Sequence, residues 1–298
     1  MKSDSAAMEN TAVSETVSLL QRRAKSKLNR RTKTVILASV ILLFLAVLAV
    51  AGILMNPALY SPNYSMKKLA PSFTHLFGTD YLGRDMFFRT VKGLSTSILI
   101  GTLAATVSAF LALIIGLLAA TAGGWVDKVV SYFVDLFMGV PHMVLLMLIS
   151  FMLGGGMKGV IIGVALSHWP NLTRVIRGEV LQVREAQYVK SARKFGISRM
   201  QVAWRHIVPH VLPQFIVGLI LLFPHAILHE AGLTFLGFGL SVDAPAIGII
   251  LSEALKHIAT GMWWLVFFPG VMLVIVVMLF DKLGDQVKLL IDPGSAQE

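Results

Sequence analysis

The feature that most constrains this chain is a set of long apolar runs that carry no charge. Neither Thr34–Leu54 nor Thr96–Ala120 contains a charged side chain. As helices rising about 1.5 Å per residue, either would cross the roughly 30 Å hydrocarbon layer of a bilayer. Four further stretches follow the same pattern with interruptions: Val129–Leu153, broken by Asp135 and Pro141; one beginning near Val160 and eroded by His168 and Pro170; Val211–Leu228, holding Pro213 and Pro224; and Met262–Phe280, holding Pro269. Prolines inside a span are tolerated where neighbouring helices satisfy the freed backbone groups. The expected architecture is all-α and polytopic, with about six transmembrane helices over residues 34–283. A basic, partly disordered segment (1–33) precedes them and a short tail (284–298) follows.

Composition agrees. Charged residues make up 14% of the chain, against about a quarter in soluble domains, and mean hydropathy is +0.75. Cysteine is absent, which excludes a disulfide framework, thiolate metal sites and a cysteine nucleophile. The net charge of +10 has a topological explanation. With the N-terminus inside, 19 of the 26 Lys and Arg residues fall on the cytoplasmic side, and seven (Lys67, Lys68, Arg84, Arg89, Lys92, Lys158 and Lys256) fall outside. That bias predicts both termini in the cytoplasm and accounts for the charge without nucleic acid. The first apolar run is longer than the core of a signal peptide and lies behind the polar stretch 1–33, so it reads as an uncleaved span. Trp125, Trp263 and Trp264 near span ends read as interface anchors.

Two segments between the spans carry pattern. Before the second span stands Leu76-Phe77-Gly78-Thr79-Asp80-Tyr81-Leu82-Gly83-Arg84-Asp85. Gly78 and Gly83 suit turns, Asp85 is placed to cap the next helix, and His75 and Arg84 are placed to pair with Asp80 and Asp85. The second segment is the basic island Arg184–Gly196. Tyr188, Ala192 and Phe195 recur at helical spacing as an apolar stripe amid charge. Gly196 supplies a left-handed stop, and Ser198-Arg199-Met200-Gln201 reads as a capping box opening a second helix. On local physics alone this helix–turn–helix serves equally to dock a partner or to rest on lipid headgroups.

The island resembles the signature loop of ABC importer permeases, in which Glu-Ala-Ala, three residues, Gly and a distal Leu-Pro recur. Lys190-Ser191-Ala192 stands at the first three positions, Gly196 at the glycine and Val208-Pro209 at the Leu-Pro. Ala192, Gly196 and Pro209 match, while Lys190 and Ser191 depart from the pattern. Arg184-Glu185 and Tyr188-Val189 resemble the form found in dipeptide, oligopeptide and nickel importers. The outer segment Leu76–Asp85, Glu230-Ala231 with Leu233–Gly239, and Gly284-Asp285 with Asp292-Pro293 are similar to further segments of that group's "C" type permease.

That resemblance implies a type I importer fold forming half of a membrane path for peptides or nickel, free or chelated, by alternating access in a prokaryotic inner or plasma membrane. It implies a second permease, two ATP-binding subunits and an extracytoplasmic binding protein as partners, with ATP and Mg held by the ATP-binding subunits. The ATPase-coupling loop (184–209) would then act through Glu185, Tyr188, Lys190, Ala192, Arg193, Gly196 and Pro209. No Gly-x-x-x-x-Gly-Lys-Ser/Thr phosphate loop is present; Gly154-Gly155-Gly156-Met157-Lys158-Gly159 lacks the spacing and the hydroxyl, so this chain is expected to have no ATPase site and no cofactor of its own. The rival classes are an ATPase-independent secondary transporter or channel and, behind it, an intramembrane enzyme. No catalytic pair supports the latter. His229-Glu230 has Leu233 where a zinc protease helix needs its second histidine.

Intramembrane ionisable residues nominate a path: Asp135, His142, His168, His225, His229 and Glu230. Asp135 and His142, seven apart in one run, are placed to share a helical face. The surroundings of His168 and His229 resemble nickel-importer permeases, and imidazole suits such a metal. Lone histidines in spans are more often packed or hydrogen-bonded than ligating, so no metal site is assigned from sequence. Glu230 reads as structural.

Overall fold

The computed structural model describes residues 30–241 and 245–291, and among these the regular structure is helical. The basic stretch before Arg30 and the Asp292-Pro293 motif lie outside the described residues. Helix α1 (Arg30–Leu54) leads through two short 3-10 turns and the outer segment to α2 (Met86–Ala122), and α3 (Gly124–Gly139) and α4 (His142–Met152) follow. Next come α5 (Gly156–Glu185), the short α6 (Gln187–Lys194), α7 (Arg199–Val202), a π-helical turn over Ala203–Ile207, and α8 (Val208–Phe235). The chain closes with α9 (Ile247–Leu255) and α10 (Trp264–Ile291).

Among the described residues four helices are long and apolar enough to cross a membrane: α1, α2, the continuous stretch Met200–Phe235, and α10. The expected third span is a bent pair, α3 and α4, turned by 98° at Val140-Pro141; counted as one span it makes five. The expected count of six is met only by adding α5. At 30 residues α5 is about 45 Å long, but its polar residues keep it below the hydropathy of the others. Span limits also differ from expectation. The second begins at Met86 rather than Thr96, and the fifth runs unbroken through Pro213 and Pro224, because a lost backbone donor bends a helix more readily than it ends one when neighbours hold it.

At the centre lies α2. From Gly101 onward its buried face is all small: Gly101, Ala104, Ala105, Ser108, Ala109, Ala112, Gly116, Ala119 and Ala120. Where lipid replaces water, helices associate through close packing rather than hydrophobic exclusion, and small residues permit the closest approach. A Cβ on Gly116 would stand 2.9 Å from the Ile176 side chain of α5, and one on Gly101 2.6 Å from Ile227 of α8. Two further ties fasten α1: the Lys92 ammonium donates to the Gly52 carbonyl (2.9 Å), and the Ser95 hydroxyl to the Ala49 carbonyl (2.6 Å).

These contacts define two ends. Leu54, the start of α2, Gly156 and Trp264 lie at one. Ala122, α6 and the start of α1 lie at the other, where the Arg184 guanidinium reaches the Ala120 carbonyl.

Candidate functional site

Three built regions carry the residues singled out above. At the first end, the outer segment is a locked structure. The Asp80 carboxylate is almost wholly buried. Its Oδ1 accepts the backbone N–H groups of Leu82 (2.8 Å) and Arg84 (2.9 Å), while Oδ2 accepts Arg84 Nε (2.6 Å) and Arg89 Nη1 (3.2 Å). Both guanidiniums then reach Glu253 Oε2 on α9, at 2.9 and 2.6 Å. Burial works against the charged form of Arg84, yet Asp80 and Glu253 hold its pKa above the ordinary arginine value. Asp85 caps α2, accepting from Phe87 and Phe88 N–H, and its other oxygen meets His75 Nδ1 at 2.8 Å. Gly78 and Gly83 both have positive φ, and a side chain on Gly83 would overlap the Asn63 carbonyl. Sequence reasoning does not reach Arg89 and Glu253. Glu253 is remote from Arg89 along the chain and sits on a buried helix inside what reads in sequence as an outer loop.

At the other end, α6 forms where it was expected, and its inward face is made by Val189 and Ala192. Val189 and Ala192 are buried, whereas Tyr188 is half-exposed and Phe195 85% exposed. The helix ends in a Schellman motif: Gly196 at φ +81° donates to the Arg193 carbonyl (3.1 Å) and Ile197 to the Ala192 carbonyl (3.2 Å). The Ser198 hydroxyl accepts from Gln201 N–H (3.3 Å), the expected cap. Glu185 pairs with Lys190 at 2.9 Å, Arg193 lies in the last turn of α6, and Pro209 lies in the first turn of α8.

Midway between the ends is a cavity of about 360 Å³ lined by His142, His168, Asn171, His225, His229 and apolar side chains. His168 lies near the middle of α5, His225 and His229 share one face of α8, and His142 opens α4 at the 98° bend. That bend separates residues expected to share a face. Asp135 instead pairs with Arg174 on α5 (2.8 Å, both exposed) and does not line the cavity. Glu230 does not line the cavity; it is fully buried, its Oε1 accepts from the Thr234 hydroxyl (3.0 Å), and its Oε2 has no hydrogen-bond partner. The rings of His142, His168 and His229 lie with centroids 4.3–5.1 Å apart. Sequence spacing has no means of showing this convergence, because the three come from three helices.

A broken helix beside a histidine-lined cavity at mid-depth, with a basic helix–turn–helix at one end, is the make-up of a membrane transport component. The chain belongs to the family described as binding-protein-dependent transport system inner membrane component, whose model matches residues 112–296. It is similar to the dipeptide transport system permease protein DppC of Bacillus subtilis, 30% identical over 89% of this chain and 83% of the relative. The oligopeptide transport system permease protein OppC of the same organism is 31% identical, with 84% of each covered. In fold it is similar to a chain of the MetNI methionine ABC transporter in inward-facing conformations, with a TM-score of 0.58 and 19% identity over 70% of this chain and 98% of that one.

Proposed function

We propose that this chain is the "C" type permease of an ATP-driven peptide importer, forming half of the path while separate subunits bind and hydrolyse ATP. The observation that carries this is α6. At the end of the bundle it holds Lys190 and Arg193 outward, and the turn beyond it leaves Phe195, Met200 (67% exposed) and Trp204 (68% exposed) uncovered. Basic and bulky apolar groups together, at the end of the bundle, suit a protein groove better than water. Peptide as cargo is supported by the dipeptide and oligopeptide permeases to which the chain is similar over most of its length.

In this reading α6 is the lever. An ATP-binding pair that closes on nucleotide holds α6 more tightly in one state of the bundle than in the other, and that difference in affinity shifts the path between inward-open and outward-open. The second permease and the binding protein complete the path and deliver cargo. Positive charge supports an orientation with α6 and the start of α1 in the cytoplasm. At the opposite end Arg84 and Arg89 are neutralised by Asp80 and Glu253, which deepens the asymmetry.

Uptake of a labelled dipeptide by cells expressing the chain with its partner subunits tests the proposal. It is expected to require both this chain and ATP hydrolysis. Uptake that persists when the ATP-binding subunits are removed would refute it in favour of a secondary transporter.

A further inference from the structure

The geometry points to a transition-metal site in the mid-depth cavity, made by His142, His168 and His229, that takes a divalent first-row cation as a free ion or a small chelate. The inference rests on the reading of that cavity as part of the transport path. One ligand atom from each imidazole lies within 4.8 Å of the other two. Three atoms at that spacing surround a point about 2.8 Å from each, and metal–imidazole bonds are about 2.0–2.1 Å, so small rotations of the three rings would close the set.

The hydrogen bonds around the cluster prepare its lone pairs. His168 Nδ1 faces the Val164 carbonyl at 2.9 Å, so that nitrogen carries the proton and Nε2 is left with the lone pair. That Nε2 is buried and has no partner. The Nδ1 of His142 is likewise buried without a partner. The Nδ1 of His229 rests on the Met143 sulfur at 3.2 Å, which turns Nε2 to the cluster. A ligating histidine has this arrangement, with one nitrogen tied to a carbonyl or similar group and the other free to bind. A hydrogen-bonded histidine network would instead pass N–H to N between the rings. Here the rings meet edge-to-face or tilted, and two lone pairs stay unmatched.

Imidazole selects nickel, copper or zinc over magnesium and calcium, which take oxygen. Three ligands beside a cavity of about 360 Å³, with Asn171 on its wall, leave coordination positions open. That is the form of a site that exchanges its ion rather than one that locks it in place. The bend also puts the N-terminus of the eleven-residue α4 beside the site. Its positive end disfavours a bare cation and favours one accompanied by a carboxylate, as an amino-acid or dipeptide chelate would be.

The full chain, carrying an affinity tag other than polyhistidine, would be placed in nanodiscs and dialysed against nickel chloride or against nickel complexed with labelled glycylglycine. One nickel per chain is expected for the wild type and for His210→Gln, which alters an exposed histidine outside the cluster. His168→Ala and the more accessible His229→Gln should each lower affinity by about 100-fold or more, while eluting as the wild type does in size-exclusion chromatography. X-ray absorption should report three imidazole nitrogens on the wild-type nickel. Retention of labelled glycylglycine with the metal would identify the chelate as the source, and nickel without the peptide would identify the free ion. No nickel on the wild type, or binding by both variants as tight as that of the wild type, would overturn the site. Uptake of labelled dipeptide by cells expressing the same wild-type and variant chains with their partner subunits separates the two proposals. Uptake without nickel binding refutes the metal site alone, and nickel binding without uptake refutes the peptide reading alone.

Discussion

Replacing Gly196 tests the coupling helix through backbone geometry alone. Gly196 holds φ at +81°, and nothing lies within 4 Å of the place a Cβ would occupy. A side chain there meets no neighbour, so its whole cost is conformational. For an ordinary L-residue the left-handed region costs roughly 1–2 kcal/mol, more for a β-branched residue and less for asparagine. If the Schellman turn must form for α6 to dock, that cost shifts the docked population by about 5–30-fold. Affinity for the ATP-binding subunits, measured on purified complexes, should therefore fall in the order Gly, Asn, Ala, Val at position 196, with uptake following. An asparagine variant as impaired as valine would refute the reasoning, because a left-handed requirement spares asparagine. So would a valine variant indistinguishable from wild type.

Three other outcomes follow from the geometry. Asp80→Ala leaves two buried guanidiniums sharing Glu253 and should destabilise the chain by about 3–5 kcal/mol in denaturant unfolding. Asp85→Ala removes the α2 cap and should cost about 1 kcal/mol by the same assay, with the first turn of α2 losing hydrogen-exchange protection. Gly116→Val drives a side chain into Ile176 and should cost about 1–3 kcal/mol, partly recovered when Ile176→Ala is added.

Much of the fold is legible in the chain because a bilayer imposes a coarse rule. A long apolar run free of Asp, Glu, Lys and Arg has few alternatives to a spanning helix, even with proline inside it, and α1, α2, α8 and α10 follow from it. Turn and cap chemistry is equally local, so Asp85, Gly83, Gly196 and Ser198 act where their residue types suggest. Signals that depend on rotation or bending mislead. Which residues of α6 turn onto the bundle, Val189 and Ala192, is decided by its packing and not by the apolar stripe, of which Tyr188 and Phe195 stay uncovered. Asp135 and His142 part company at Pro141, where period counting assumes an unbroken helix.

What the sequence by itself determined is the class: an all-helical membrane chain with basic residues biased to one side, locally coded turns and a recognisable loop at one end. These are properties of contiguous residues, and short-range physics decides them. Only the tertiary structure decided which distant groups meet. Glu253 joins Arg84 and Arg89 from the far side of several intervening helices, and three histidines from three helices converge on one cavity. Those encounters depend on the bend at Pro141, the small-residue face of α2 that draws α5 and α8 together, and the burial of α9. No spacing along a single helix encodes them, because each arises from how close two backbones come.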